Sequence, residues 1–364
     1  MSADLKVLTY NCWHALTAKN LIEFRELEPP GRKLERYKIQ IDNLRSVDAD
    51  IVLLQEVSPI KDRIREFESL GYEVCSQVDQ SGVKFFGLGL PANLSTGLCI
   101  LAKPEFHLKK LFGAKLSGNL GFTGVDFSFQ VTENRYALLA SSQHKDFGKT
   151  LIVCTHLHHG TENTPLIETM LTRALQAGII NSDEIEISRA EIKAADLRRR
   201  NELDILFAAI HVLEKDLDQI ILGGDLNSSE SSQAYTQILF EGFFDTYRSC
   251  HAEANSKDYS GFTWDIVKNK ENISFGHDFE LPMSSFGRAD VKELFNNYND
   301  RQRRIDFLFL KLLKSTKLKA ASGGVPLVSI AEVLKFNSPE DAKQHSIFGS
   351  DHMGVLSKLV GKKG

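Results

Sequence analysis

Apolar runs that stop abruptly at a carboxylate, an imidazole or an amide recur along this chain. The first, LKVLTYNCW, is β-rich and holds Asn11 near its end. After a polar stretch through Pro29, Pro30 and Gly31, the segment LERYKIQIDNLRSVD places Leu34, Tyr37, Ile41 and Leu44 at helical spacing. Next comes DADIVLLQEV, a buried-type strand closing on Gln55 and Glu56, then the helix-like KDRIREFESL and a further strand, GYEVCSQV. Strand and helix alternate here, as they do in α/β proteins. From about Gly82 the pattern changes to short β runs, STGLCILAK, GVDFSFQV, ALLASS and TLIVCTHLHH, which favour an antiparallel or mixed sheet. An insertion over about 160–188 reads as partly helical. Ser188 and Glu191 then form a capping-box pattern, and Leu203, Leu206, Ile210 and Leu213 mark one face of a long helix. The strand DQIILGGDLN follows, then a polar stretch from about 249 to 300, the strand RRIDFLFLK and the C-terminal run SIFGSDHMGVLSKLV. With no repeat and no linker, the chain reads as a single domain over 1–364.

Polar groups gather where these strands end: Asn11, Gln55 with Glu56, His156 with His158, Asp225 with Asn227, and Asp351 with His352, while Asp306 sits inside a strand. Taken singly, each has an ordinary structural explanation, and for GGDLN that is a strand followed by an Asx turn. Residues i and i+2 of a strand project from the same face, so Asp225 and Asn227 are expected to aim a carboxylate and an amide at one point. Sites in α/β sheets are built at strand ends, and so many oxygen and imidazole donors at such ends are hard to assign to chance. The chemistry that uses this set is metal-assisted phosphoester hydrolysis. Glu56 supplies the hard oxygen suited to magnesium, with manganese as the alternative, and Asn11 and Asn227 orient water or phosphate without adding negative charge. A histidine beside a carboxylate serves as general base or as a charged stabiliser. Neither clustered cysteine nor HExxH spacing points to zinc.

The set TYNCW, LLQEV, THLHH, GGDLN, RRIDF and SDHMGV, in this order, resembles the endonuclease/exonuclease/phosphatase superfamily. That resemblance implies a two-sheet, four-layer α/β sandwich, a divalent metal and a single catalytic domain. NCW, TGLCILAK, THLH and the GFT at Gly261 to Thr263 ahead of RRIDF are similar to neutral sphingomyelinases and the related inositol phosphosphingolipid phospholipases C. Carried over by motif, Glu56 becomes the principal magnesium ligand, with Asn11 and Asp351 beside the metal. His156, His158, Asn11 and Asn227 become substrate contacts. Asp225, Asn227, His156, His352 and Asp306 become the catalytic group, with either Asp225 or His352 as the base. The insertion at about 160–188 is longer than this family's usual connection and is expected at the rim of the site. The pair of C-terminal membrane spans found in animal neutral sphingomyelinases is not expected here.

Composition narrows the partners. The chain has 364 residues and a formal net charge of −4, with Lys and Arg scattered among Asp and Glu, so no overall electrostatic footprint for nucleic acid appears. The resemblance implies a phospholipid or sphingolipid at a membrane surface as the partner, and the acidic balance stands against the alternative, a nuclease of the same superfamily. An inositol phosphate phosphatase is a further alternative, expected to carry a PAWCDR-like motif where this chain has RQRRIDF. GVKFFGLGLPANL reads as core strand and turn; were it exposed, Phe85, Phe86 and Leu88 would be the membrane-docking residues. Five widely spaced cysteines read as thiols and not as a disulfide framework. No cleaved signal and no bilayer-spanning stretch is evident, so the expectation is a cytoplasmic or peripheral membrane protein.

Overall fold

The computed structural model describes residues 4–18, 24–26, 28, 30–86, 88–90, 95–118, 121–130, 133–251, 261–265, 302–313, 316, 318, 328–334 and 348–361. Two six-stranded mixed sheets carry the fold. The first runs in the spatial order Val328–Leu334, Gly354–Val360, Asp4–Asn11, Ile51–Val57, Thr96–Ala102, Glu73–Gln80. The second runs Phe244–Asp245, Asp306–Leu312, Gln219–Asp225, Gly148–His156, Arg135–His144, Lys109–Ser117.

Side-chain alternation explains why the strands read as continuous apolar runs. In the first sheet Val7 and Leu53 point inward to a core shared with Leu138, Ile152 and Ile221 of the second, while Leu8, Tyr10, Val52 and Leu54 point outward. The outward face is also covered, by helices α1 (Pro30–Val47) and α2 (Ile60–Ser69). Beyond a helical insertion, α3 (Pro165–Gln176), the outer face of the second sheet is covered by α4 (Ser182–Leu213) and α5 (Gln233–Phe240) through Leu203, Leu206, Ile210 and Ile238. A strand buried on both faces needs no polar alternation. The layers are helix, sheet, sheet, helix, the four-layer sandwich expected.

Several local expectations need correction. The capping box lies at Asn181 and Glu184, about two turns upstream of Ser188, which is buried inside α4. Residues 160–188 therefore hold α3 and the first two turns of α4, and the two helices pack on each other through Ile167, Met170, Ile185 and Ile192. Leu34 is 69% exposed; α1 instead turns Arg36 and Gln40 inward, where they bond backbone carbonyls. The run GVDFSFQV keeps only Ser128–Phe129 as strand. Phe85, Phe86 and Leu88 are 67%, 72% and 74% exposed, so the core reading of that stretch fails. Phe85 and Leu88 belong to, and Phe86 adjoins, a small separate sheet of Val83–Phe85, Leu88–Leu90 and Ser128–Phe129, whose Lys84 and Ser128 are buried. All five cysteines are free thiols, four buried and Cys250 half-buried. Most of the polar stretch 249–300 lies outside the described residues.

Candidate active site

Register builds half of the site. His156 stands opposite Asp225 in a parallel pair, and Asp225 opposite Asp306 in an antiparallel one, so three neighbouring strands of the second sheet present these side chains side by side. Across the sandwich Asn11 lies opposite Gln55, one residue before Glu56. The loop carrying Asp351 and His352 closes the group, and all of these side chains except the half-buried Glu56 are buried.

One oxygen is the hub. Asp225 Oδ2 accepts the Asn11 amide at 3.0 Å and lies 3.7 Å from His156 Nε2 and 3.8 Å from His352 Nε2. The Asn11 amide also donates to Glu56 Oε1 at 3.1 Å, while its Oδ1 accepts the Trp13 N–H at 2.9 Å. His352 Nδ1 donates to Asp306 Oδ2 at 2.8 Å, which orients the ring and turns Nε2 inward. Asp306 is placed in turn by Thr263, whose Oγ1 accepts the N–H groups of Ile305 and Asp306 at 3.1 and 3.0 Å. Asp351 Oδ1 is 3.9 Å from His352 Nε2 and accepts the Ser350 hydroxyl at 3.1 Å.

The strand ends at Asp225, so Asn227 does not share its face. Asp225 Oδ1 accepts the Asn227 N–H at 2.7 Å in an Asx turn, Asn227 takes a left-handed φ of +50°, and its amide donates to Leu157 O at 3.0 Å. Turn and site are thus one object. Gly224 is required before it, and Gly223 is favoured. A Cβ on Gly224, at φ +147°, would lie 1.8 Å from Thr155 O, and one on Gly223 would crowd Leu308 of its own sheet and Leu53 of the facing one. Glu162 in the insertion braces the next residues, accepting from Ser229 N–H and Oγ at 2.9 and 2.7 Å.

His158 goes elsewhere. It lies 3.5 Å from Glu133, which His159 approaches at 3.2 Å, and Arg135 bonds both Glu133 and His159. Its backbone N–H is held by Glu202 of α4 at 2.7 Å. Glu133, His158 and His159 could by spacing hold a cation, but the Arg135 guanidinium already sits among them. Sequence reading missed this cluster, as it missed His14, whose N–H donates to Glu56 Oε2 at 3.0 Å. The only signal for His14 was its place directly after NCW.

Charges sort these groups. Burial alone would raise the Glu56 carboxyl, but His14, through its ring and its N–H, and His352 hold it well below the carboxylate range. Burial and the neighbouring Arg135 push His156 well below its usual value, keeping it neutral. Burial would lower His352 as well, yet Asp306, Asp351 and Asp225 overcome it and push its pKa far up. Asp225 is raised by burial and by Asp306. A Glu56 favoured in its ionised form, and an Asp306 Oδ1 that is buried without a hydrogen-bond partner, are hard oxygen donors of the kind a divalent cation takes. Asp225, Asp306 and His352 also bring their donor atoms within 4.8 Å of one another.

A sequence profile described as endonuclease/exonuclease/phosphatase family matches residues 8–352. Among solved structures, a family protein from Bacteroides thetaiotaomicron superposes with a TM-score of 0.55 at 15% identity, covering 100% of each chain. TDP2 from D. rerio, complexed with single-strand DNA product, superposes with a TM-score of 0.54 at 14% identity, covering 98% of this chain and 99% of that one. The human Nocturnin catalytic domain gives 0.50 at 14%, covering 98% and 93%. At these identities the likeness is one of fold. No curated protein matches.

Proposed function

Because the chain belongs to the endonuclease/exonuclease/phosphatase family, whose members hydrolyse phosphodiester bonds and typically depend on a divalent metal ion, we propose that it is a magnesium-dependent phosphodiesterase of phospholipase C type. Its substrate in this reading is a phosphosphingolipid or phospholipid met at a membrane surface, and the released product is the phosphorylated headgroup. Glu56 and Asp351 would hold the metal, which when bound would draw charge from a phosphate oxygen. Asn11, expected as a third ligand, gives its Oδ1 to the Trp13 N–H and its NH2 to Glu56 and Asp225, and so braces the ligand instead. Neutral His156 positions the phosphate, and Asn227, whose amide is turned to Leu157 O, acts through its N–H by fixing Asp225. Asp225 Oδ2, facing two imidazole nitrogens and an amide, takes the proton of the attacking water. His352, oriented by Asp306, offers Nε2 to the charge that builds on phosphorus-bound oxygen.

The observation that carries the lipid part is the small aromatic sheet. Phe85, Phe86 and Phe127 pack edge to face with centroids 4.5 to 5.6 Å apart, and Leu88, Phe122 and Phe129 are exposed beside them. Its hairpin leaves the Glu73–Gln80 strand beyond Asp79, whose carboxylate accepts the Thr96 hydroxyl. Thr96 begins the strand that pairs with Val57 through Gly97, so the aromatic sheet stands at the same end of the sandwich as Glu56. Stretches 83–90 and 121–130 contain one cation, Lys84, and one anion, Asp126. A neutral apolar face suits a zwitterionic lipid surface, whereas a polyanion calls for cations. The exposed phenylalanines would also stack nucleic-acid bases, which keeps a nuclease as the second reading.

The test is a release assay with purified protein on sphingomyelin, phosphatidylcholine, lysolipids and abasic DNA, with and without magnesium. Burying a Phe contributes about 1.5–3 kcal/mol, so the double variant Phe85→Ser, Phe86→Ser is expected to weaken liposome binding at least ~10-fold. Turnover of a soluble chromogenic diester should survive. Cleavage of DNA but of no lipid, falling steeply with salt, overturns the lipid reading and leaves the phosphodiesterase.

A further inference from the structure

Glu56 is held from behind by a loop under backbone strain. Arg36 of α1 is buried, pairs with Glu28 Oε2 at 2.9 Å, and donates from Nη1 to the carbonyls of both Cys12 and Trp13 at 2.8 Å. Its guanidinium lies 4.9 Å from the centroid of the Trp13 ring. Gln40 donates to the same Cys12 carbonyl at 2.8 Å. With its carbonyls fixed in this way, the chain takes left-handed φ values of +53° at Trp13 and +57° at Ala15, which residues with a Cβ rarely adopt. Between them His14 is turned so that two of its nitrogens meet one oxygen. Its N–H donates to Glu56 Oε2 at 3.0 Å, and ring Nε2 lies 3.4 Å from that same atom. Glu56 also sits at +54°, at a break in the pairing of its strand.

We propose that His14 is a positioning residue for the divalent cation: from outside the ligand set, it fixes which way the Glu56 carboxylate faces. The inference rests on the metal-dependent reading above. Glu56 Oε2 is occupied by His14 and Oε1 by the Asn11 amide, so the carboxylate is held from both sides and cannot swing when a cation arrives or leaves. The Glu28, Arg36 and Gln40 clamp is the reason the loop can bear this geometry. Partners that orient a ligand from outside the coordination sphere typically govern metal affinity by about 10- to 100-fold.

Manganese binding to the purified protein without substrate, followed by electron paramagnetic resonance and calorimetry, tests this directly. His14→Ala keeps the backbone N–H donor, so it isolates the ring; the dissociation constant is expected to rise about 10-fold or more, with the metal-free melting curve unchanged. His14→Gln, which keeps a side-chain donor of similar reach, should recover most of that loss, and His14→Met, similar in size without the donor, should not. The Gln and Met pair carries the comparison if the alanine variant loses its fold. Affinity unchanged in His14→Ala but weakened in Glu56→Gln overturns the role of His14 and leaves the metal reading standing. Affinity unchanged in both overturns both.

Discussion

In the second sheet His156, Asp225 and Asp306 reach the cleft by staying in register, each opposite the next on adjacent strands. In the first sheet Glu56 reaches it by leaving register, at a pairing break with a left-handed backbone, and its partner His14 comes from a loop with two more left-handed residues. Regular strands can set side chains about 5 Å apart across a sheet, the spacing that hydrogen-bonded polar groups need. They cannot turn a carboxylate off the end of a strand toward a facing sheet about 10 Å away, so irregular backbone is used for that task. In the function proposed above, proton handling centres on Asp225 of the regular sheet and cation holding on Glu56 of the irregular one.

The largest effect should come from breaking the regular side. Asp225→Asn keeps an Oδ1 acceptor for the Asn227 N–H, so the melting curve is expected to stay near that of the parent. The rate on a soluble diester should fall about 10²–10⁴-fold, the scale for losing an acid-base or electrostatic group. An unfolded variant would make the Asx turn structural and nothing more. On the strained side, Glu56→Gln should raise the magnesium needed for half-maximal rate about 10- to 100-fold. Full activity of the parent in excess EDTA would remove the cation from this half altogether.

These two halves were unequally legible in the sequence. Asp225, Asp306 and His156 could be read because each is a lone polar residue in or at the end of an apolar strand, where period and burial mark it. Glu56 and Asn11 were found for the same reason. His14 and Arg36 were not, because their roles depend on loop carbonyls and on a buried charge sitting on the inner face of a helix, where a hydrophobic pattern expects Leu34. The error at Asn227 has a related cause: strand periodicity was carried two residues past the strand's end. The exposed Phe85 and Phe86 misled because their β-type run is indistinguishable in pattern from a core strand.

A smaller effect is expected from the support of the regular side. Thr263→Val leaves two buried N–H groups, of Ile305 and Asp306, without their acceptor, at about 1–3 kcal/mol each before relaxation. Stability should drop by that order in a denaturant titration, and the rate should fall only a few-fold, since Asp306 still bonds His352. A loss of rate as large as that of Asp225→Asn would mean that the regular sheet, too, depends on its loops.

Asp79 sharpens the boundary of the strained half. Like Glu56 it is an acid at a pairing break in the first sheet, but the opposite force wins there: burial raises its carboxyl to about 6, against the pull of Arg135 and the Thr96 hydroxyl. The folded chain thus prefers Asp79 protonated, and ionising it costs stability that sets in above the unfolded pKa of about 4 and is complete above the folded value. Asp79→Asn removes that cost and keeps an acceptor for Thr96, which donates at 2.8 Å. The variant should therefore be more stable than the parent by about 1–3 kcal/mol above pH 6, the gain shrinking as pH falls from 6 to 4. Its rate on a soluble diester should stay within about twofold, the small effect expected of a group that makes no bond to the cation-holding set. Denaturant titrations at several pH values check the first part and steady-state kinetics the second. A gain that fails to shrink toward pH 4 refutes the buried-acid account, and a large loss of rate extends the working site of the first sheet from Glu56 to its second irregular acid.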